Sequence, residues 1–381
     1  SGFCDCVLGW DVDDQLYDNT TFTGWHTAFP DAISRIDLTT ERRLVDEDNI
    51  PFFLLEFVGE KGAAHPICPR TRLKQVLAMA EDVGYQPRLA FEYEFFIFRE
   101  TAQSARDKNY QNLIPLSPGN FGYSVLRTMT LSDLFNEFME YCAVHDFPLE
   151  GLHCETGPGV WEAAITVDDA LAAADKAVLF KTFSKAFFQR REMMATFMAK
   201  WSMDYPGQSG HLHQSLNALN TDHNLFFDEN SPYRMSDTMR YYVGGLQAHM
   251  KSFLAMTSPT VNSYTRLVKG AWAPTAATWG LENRTAALRV ISGSSTSQRV
   301  EFRVGSADAN PYLVAAANVA AGLDGIRKKM EPGEQVTGNA YELQDDQPEA
   351  FQLCGNLRDA TRVFTESAVA REYFGDTFVD H

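Results

Sequence analysis

Residues 89–98 read LAFEYEFFIF, an apolar run interrupted by two glutamates. Aromatic and branched side chains without Pro or Gly predict a β-strand that crosses a sheet once. Side chains two positions apart point to the same face of a strand, so Glu92 and Glu94 share one face. Two carboxylates buried together repel each other and lose hydration, so we expect a cation, best a divalent metal, to compensate them. The alternative is an edge strand with a solvated acidic face.

The composition is that of a globular protein with a large core. The chain has 381 residues, 45% hydrophobic and 22% charged, and we expect more than one domain. The formal net charge of −17 argues against a nucleic-acid or anionic-membrane partner, because no basic stripe could neutralise phosphates. The sequence has no apolar run of about 18 residues and no signal peptide at Ser1, which predicts a cytoplasmic protein.

The six cysteines are scattered along the chain and form no CxxC pair. This pattern favours reduced structural thiols. A metal clip formed by Cys4-Asp5-Cys6 is the alternative for the two cysteines nearest the N-terminus.

Hydrophobic patterning divides the chain in two. Residues 1–66 carry short alternating stretches separated by polar loops, which predicts a small, mostly β, N-terminal domain. Residues 67–381 are expected to form the larger domain, with a polar loop at 101–123 that is functional or mobile. Helical spacing and capping residues predict helices at 69–84, 131–145, 168–200, 236–257 and 310–329.

Three further segments of the larger domain carry carboxylate or imidazole groups. Glu155 and Glu162 bracket a Gly-Pro-Gly turn that could fold both toward one site, although on this segment alone solvated acidic residues are the better explanation. His211 and His213 share one face of a predicted strand, as metal or phosphate ligands or as satisfied core histidines. Glu301 lies between two arginines on another strand face, either as a metal ligand or in an ion-pair ladder.

Together these glutamates and a histidine could hold two divalent ions, and oxygen-rich ligation suits Mg²⁺ or Mn²⁺. Arginine binds carboxylate and phosphate through its bidentate fork. Metals clustered with arginines are typical of phosphoryl transfer. The chain has no P-loop and no kinase glycine loop. The arginines concerned are Arg266, Arg284, Arg289, Arg299 and Arg303.

Five motifs in order make the chain resemble the glutamine synthetase superfamily from about Gly9 through the helix after Pro311. They are FEYEFF at 91–96, GHLHQSL at 210–216, NSYTR at 262–266, NR at 283–284, and RVEFR at 299–303, which leads into ANPY at 309–312. The resemblance implies an α+β fold. It consists of an N-terminal β-grasp domain and a C-terminal catalytic domain, whose curved antiparallel sheet is flanked by helices. It also implies stacked homo-oligomeric rings, such as a dodecamer, in which neighbouring subunits share each active site.

The resemblance further implies an ATP-dependent ligase with two to three Mg²⁺ or Mn²⁺ ions per site. ATP would phosphorylate the γ-carboxylate of L-glutamate, and an amine would attack the γ-glutamyl phosphate. By motif position, one metal is held by Glu94, Glu155 and Glu162, and the other by Glu92, His211 and Glu301. Glutamate is held by Gly207, Arg266 and Arg303, the transferred phosphate by Arg284 and Arg289, and the nucleotide by His213, Ser215 and Arg299.

One departure from the family pattern bears on the amine. Ammonia-using members carry a flap glutamate six residues after the arginine matching Arg266, where this chain has Trp272. An indole is an apolar wall that accepts no proton, so the chain looks like the branch of γ-glutamylpolyamine and γ-glutamylamide synthetases. Candidate amines are a polyamine, ethanolamine, or a small alkyl or aryl amine. In the segment YDNTT at 17–21, Asp18 matches the family's loop aspartate at the amine site.

Four alternatives remain open from the sequence: an ammonia-using glutamine synthetase, a catalytically silent structural relative, a carboxylate substrate other than glutamate, and a plain loop-anchoring role for Trp272. The family also has further residues beyond both ends of this chain, so the β-grasp domain is expected to be incomplete.

Overall fold

The N-terminal part of the chain is built from short strands. The computed structural model describes residues 2–11, 14–16 and 22–381. The first five strands are β1 (Gly2–Cys4), β2 (Asp31–Ile36), β3 (Arg42–Leu44), β4 (Ile50–Phe52) and β5 (Leu55–Phe57). β1, β2 and β5 form an antiparallel three-stranded sheet, and β3 pairs with β4. This is the small N-terminal sheet expected from the alternating sequence.

The larger part of the chain is organised on a nine-stranded sheet. Its strands are β6 (Tyr85–Phe98), β7 (Leu149–Cys154), β8 (Val160–Ile165), β9 (Asp168–Asp169), β10 (Met194–Thr196), β11 (Gly210–Ala218), β12 (Trp279–Leu281), β13 (Leu288–Ile291) and β14 (Arg299–Phe302). The order is β12-β13-β14-β11-β6-β8-β7, and β9 and β10 also pair with β6. All these pairs are antiparallel except β12 with β13, so the sheet is mixed.

Helices flank this sheet. They are α1 (Pro69–Asp82), α2 (Ala102–Asp107), α3 (Val125–Thr130), α4 (Ser132–Val144), α5 (Ala170–Gln189), α6 (Asp237–His249), α7 (Leu254–Thr257), α8 (Ser263–Arg266), α9 (Pro311–Lys328), α10 (Leu357–Glu366), α11 (Ala368–Phe374) and α12 (Asp376–Asp380). Gly84 follows α1 with a φ of +83°, as expected of a glycine that ends a helix. In the described part of the chain, no helix is both long enough and apolar enough to cross a membrane.

Two of the predicted helices are too long. The helix predicted over 168–200 ends at Gln189, because Glu192 turns the chain with a φ of +56° and residues 194–196 then pair with β6. Pairing with β6 gives the backbone N–H and C=O groups of residues 194–196 the hydrogen-bond partners that a continued helix would otherwise have provided. The segment predicted as one helix over 236–257 forms two helices, α6 and α7. The predicted cap is present, because the Ser236 side chain accepts a hydrogen bond from the Met239 amide at 3.0 Å.

Strand β6 divides the core from the site. Phe91, Tyr93 and Phe95 are buried on one face, where Phe180 of α5 packs against Tyr93 and Phe95. Burying each such side chain contributes about 1.5–3 kcal/mol. The opposite face carries Glu92 and Glu94, which are partly accessible. Because successive side chains of a strand point to opposite faces, one face of β6 packs in the core and the other carries the two glutamates of the candidate site.

Candidate active site

Three neighbouring strands bring one set of predicted ligands together. His211 on β11 lies opposite Glu92 on β6, and Glu301 on β14 lies opposite His213 on β11. His211 Nδ1 is 2.9 Å from Glu92 Oε1 and 3.4 Å from Glu301 Oε1. Potential ligand atoms of Glu92, His211 and Glu301 all lie within 4.8 Å of one another. We name these three residues the central group.

A second set lies on β7, β8 and the turn between them. Ligand atoms of His153, Glu155 and Glu162 also lie within 4.8 Å of one another, and we name these three residues the outer group. His153 Nε2 is 3.3 Å from Glu162 Oε1 and 3.7 Å from Glu155 Oε1. Glu94, predicted to join Glu155 and Glu162, lies opposite Glu162 but accepts a hydrogen bond from the Ser209 amide at 2.7 Å.

The two groups differ in charge compensation. Burial alone would raise the pKa of Glu301, but Arg303, His211 and His213 together hold it at about 2. In the outer group, burial raises the pKa of Glu162 to about 10, and repulsion from neighbouring carboxylates adds to the effect. Without a cation, therefore, these carboxylates cannot all ionise together.

The donor set fits divalent metal ions. Each group offers two carboxylates and one imidazole, a set that suits Mg²⁺ or Mn²⁺ better than a structural zinc. His211 Nε2 is buried and lacks a hydrogen-bond partner among the described residues. A cation between the carboxylates would offset the burial and the repulsion that together raise the pKa of Glu162.

Arginines surround the central group. Arg289 Nη1 lies 3.2 Å from Glu301 Oε2, and Arg303 also forms an ion pair with Glu301. Arg299 donates to His213 Nδ1 at 3.2 Å. Arg266 is buried and donates to the Val304 carbonyl at 2.8 Å. Arg289 and Arg299 line one cavity beside these carboxylates, and Arg266 and Arg303 line another, so an anionic ligand in either would meet guanidinium groups.

Two cavities meet at the candidate metal ligands. The larger, of about 490 Å³, is lined by the predicted nucleotide residues His213, Ser215 and Arg299 and by Arg289. The smaller, of about 120 Å³, is lined by the predicted glutamate residues Gly207, Arg266 and Arg303, by Glu94 and by Trp272. Four residues line both cavities: Glu92, Tyr123, Glu162 and Arg284.

Gly207 and Trp272 shape the smaller cavity. A Cβ at Gly207 would lie 2.6 Å from the Ala199 carbonyl oxygen and 2.6 Å from Arg266 Cγ, so only glycine lets the turn approach Arg266 this closely. Trp272 is 59% exposed and has a φ of +56°. A bulky residue in the left-handed region is uncommon, and such strain concentrates at functional sites.

Two residues of the site escaped prediction. His153 precedes Glu155 by two residues, a spacing that could have flagged it. Tyr123 stacks on His153 with ring centroids 5.0 Å apart and, together with His153, lowers the pKa of Glu155. Its position at the end of the long polar loop was only a weak signal. The predicted amine-site residue Asp18 lies outside the described residues.

Comparison with known proteins identifies the family. Residues 66–381 match the family described as glutamine synthetase, catalytic domain, so the chain belongs to the glutamine synthetase family. It is 45% identical over 381 residues to type-1 glutamine synthetase 2 of Dictyostelium discoideum, covering 100% of this chain and 73% of that protein. It is 34% identical to glutamate–isopropylamine ligase of a Pseudomonas species, covering 98% of this chain and 81% of that protein. The solved structure of a GmaS/ADP complex superposes with a TM-score of 0.84 at 28% sequence identity, covering 100% of this chain and 84% of that one.

Family membership defines the class of enzyme. The chain is an ATP-dependent carboxylate–amine ligase of a family that uses glutamate and divalent metals and forms oligomers. The central group is a candidate site for such a metal. The fold is also that of the family, with a small N-terminal sheet and a large mixed sheet flanked by helices.

Proposed function

We propose that this enzyme joins the γ-carboxylate of L-glutamate to an organic amine, giving a γ-glutamyl amide, ADP and phosphate. The proposed route runs through a γ-glutamyl phosphate. It requires ATP and glutamate to approach each other near Glu92 and Glu162, the two candidate metal ligands that line both cavities. The observation that carries the choice of an organic amine over ammonia is the apolar wall formed by Trp272 at the smaller cavity.

The proposal assigns ATP to the larger cavity and glutamate to the smaller one. His213, Ser215 and Arg299 would contact the nucleotide, and the larger volume supports this assignment. Arg266 and Arg303 would hold glutamate's α-carboxylate side. Both are fixed by hydrogen bonds to backbone carbonyls, which orients their guanidinium groups before substrate arrives.

Phosphoryl transfer needs the repulsion between two anions to be screened. Arg284 lines both cavities, and Arg289 lines the larger one beside Glu301, so both are proposed to contact the transferred phosphate. Bound Mg²⁺ or Mn²⁺ would neutralise charge on the phosphate oxygens. The six proposed ligands are Glu92, His211 and Glu301 on one side, and Glu94, Glu155 and Glu162 on the other. His153 adds an imidazole to the second set.

The smaller cavity also bears on the class of amine. Its acidic residues in the described part of the chain are Glu92, Glu94, Glu155 and Glu162, all of them proposed metal ligands. No further carboxylate in this part of the lining remains for the distal ammonium of a polyamine. The remaining wall includes Val160, Pro206, Ala271 and Trp272. A monoamine with a small apolar substituent fits this lining best, and Asp18 is proposed to bind or deprotonate its amino group.

Glutamine synthesis from ammonia is the second candidate. It is supported by the 45% identity to a protein named as a type-1 glutamine synthetase. The two candidates share every step except the identity of the nucleophile. They are therefore separated by the amine alone.

The test is phosphate release with ATP, Mn²⁺ and glutamate across a panel of ammonium, methylamine, isopropylamine, ethanolamine and putrescine. We expect a small alkyl amine to give the highest kcat/KM. In Trp272→Glu, the ratio of ammonium to alkylamine kcat/KM should rise at least about tenfold, because a carboxylate attracts ammonium and opposes an apolar substituent. Trp272→Phe is the matched control and should keep the parent preference.

Two outcomes would overturn the proposal. If ammonium were the best acceptor of the parent enzyme, the second candidate would replace it. If no acceptor gave turnover while the protein bound ATP, a catalytically silent relative would be the better description.

The proposal extends to assembly and domain organisation. We assign residues 1–66 to the β-grasp domain and 67–381 to the catalytic domain, and propose stacked homo-oligomeric rings with shared active sites. Exposed apolar side chains on the N-terminal part support a subunit contact there: Phe3, Ile33, Ile36 and Leu38. Native mass spectrometry should show a ring-sized oligomer, and a monomer would contradict this assembly.

A further inference from the structure

Cys4 and Cys6 lie side by side at the N-terminal sheet. Cys4 ends β1, and Cys6 lies in the single 3₁₀ turn Asp5–Leu8 that follows. Their Sγ atoms are 2.7 Å apart, compared with about 2.0 Å in a covalent disulfide. Both thiols are partly accessible, whereas the other four cysteines are buried. This pair is therefore the accessible dithiol of the described chain.

The backbone holds the two thiols in this arrangement. Cys4 is the last residue of β1 and directly precedes the 3₁₀ turn that contains Cys6, so a strand end and a tight turn fix the backbone of both cysteines. The Asp5 amide donates to the Pro30 carbonyl at 3.1 Å, and the Asp5 carboxylate accepts a hydrogen bond from Thr23 Oγ1 at 2.7 Å. Cys4 Sγ also contacts the Phe29 carbonyl at 3.7 Å. Little conformational entropy remains to be lost when the sulfurs join.

A metal clip is a poorer interpretation of the same pair. In the described part of the chain, the groups of three or more metal-ligating side chains are the central and outer groups of the active site, and neither contains Cys4 or Cys6. Structural zinc needs four ligands, usually in a closed tetrahedral set. Two thiols suffice for a disulfide.

We propose that Cys4 and Cys6 form a reversible thiol–disulfide site that reacts with low-molecular-weight disulfides. The Cys4 thiolate attacks one sulfur of the small disulfide, forming a mixed disulfide and releasing one thiolate. Cys6 then loses its proton and attacks Cys4 Sγ, which expels the second thiolate. Two electrons pass from the cysteine pair to the small disulfide, which leaves as two thiols after taking up the two protons.

The local chemistry supports this order of attack. The hydrogen bond with Cys4, with burial as a smaller cause, raises the pKa of Cys6 to about 11. The raised pKa of Cys6 favours Cys4 as the first attacking thiol and Cys6 as the thiol that attacks the mixed disulfide. Exposed disulfides in small strained rings have more oxidising potentials than buried structural ones, so excess small thiol should reduce this one readily.

The test uses the full chain, reduced, desalted and incubated with glutathione disulfide before alkylation and tryptic digestion. No Lys or Arg lies between Cys4 and Arg35, so one tryptic peptide ending at Arg35 contains both Cys4 and Cys6. We expect this peptide to lose both alkylation sites and to be about 2 Da lighter than its dithiol form. Reduced glutathione should restore both alkylation sites.

Matched variants distinguish a cooperative pair from independent thiols. Cys4→Ser and Cys6→Ser should each retain one glutathione adduct on this peptide, because no second thiol can displace it. Cys354→Ser, at a buried cysteine elsewhere in the fold, should leave the Cys4–Cys6 disulfide unchanged. Two glutathione adducts on the parent peptide, or two alkylated cysteines after oxidation, would overturn the proposal.

Discussion

The central and outer groups have similar donors in different structural settings. The central group lies on β6, β11 and β14, adjacent strands in the middle of the sheet, and His211 and Glu301 are only 4% and 1% exposed. The outer group lies on β7, β8 and their connecting turn, toward one edge, and all three of its residues are partly accessible. The geometry of the central group is set by backbone pairing, whereas that of the outer group depends also on a turn and a loop.

The two groups also differ in how the charges of their carboxylates are compensated. Glu301 of the central group contacts Arg289 and Arg303, so its carboxylate is compensated before any cation binds. Glu162 of the outer group lies among carboxylates that raise its pKa in addition to the effect of burial. The outer group thus needs an added cation, while the central group is already pre-organised around arginines. We expect mutations in the central group to reduce turnover most, and those in the outer group to reduce metal affinity.

The largest effect is expected for Glu301→Gln. The amide keeps the side-chain shape but removes a proposed ligand charge, and it leaves Arg303 without its carboxylate partner and Arg289 with Glu282 alone. Turnover should fall on the order of 10²–10³-fold at saturating Mn²⁺. Phosphate release measures the loss, and circular dichroism checks that the protein is folded.

Glu282→Gln is the control for the loss of an arginine partner. Glu282 also pairs with Arg289, at 2.7 Å, but it is exposed and belongs to neither group. Its substitution should change turnover by less than about fivefold. Retained activity in Glu301→Gln would contradict the assignment of Glu301 as a metal ligand.

A smaller effect on a different quantity is expected for His153→Gln. The substitution removes an imidazole from the outer group while both carboxylates stay in place. The Mn²⁺ concentration giving half-maximal activity should rise about 10–100-fold, with turnover largely restored at saturating metal. His223→Gln, at an exposed position outside both groups, is the matched control. If saturating Mn²⁺ failed to restore turnover, the two groups would not differ as described.

The sequence alone was sufficient where a short strand carried the information. The two-residue period of 89–98 placed Glu92 and Glu94 on one face, and the structure shows that face opposite the buried one. The same argument paired His211 with His213, and both now contact Glu92. These are local consequences of strand geometry.

Non-local pairing was harder to foresee. His153 reaches Glu162 through the register of β7 on β8, which shifts between Leu149 and Gly151. A one-residue change of register would turn His153 to the other face, and residue types do not reveal such a shift. The end of α5 was mispredicted for a related reason, since residues 194–196 leave the helical pattern to pair with β6, distant in sequence.

The smallest effect is expected for Tyr123→Phe, which tests how far the outer group depends on its loop. The ring should stay stacked on His153, but the hydroxyl that, together with His153, lowers the pKa of Glu155 is lost. Loss of one polar group of this kind costs about 1 kcal/mol, so half-saturation by Mn²⁺ should shift about fivefold. Tyr110→Phe, exposed in the same loop, should cause no shift. A shift as large as that of His153→Gln would mean that the loop, and not the strand pair, positions the outer group.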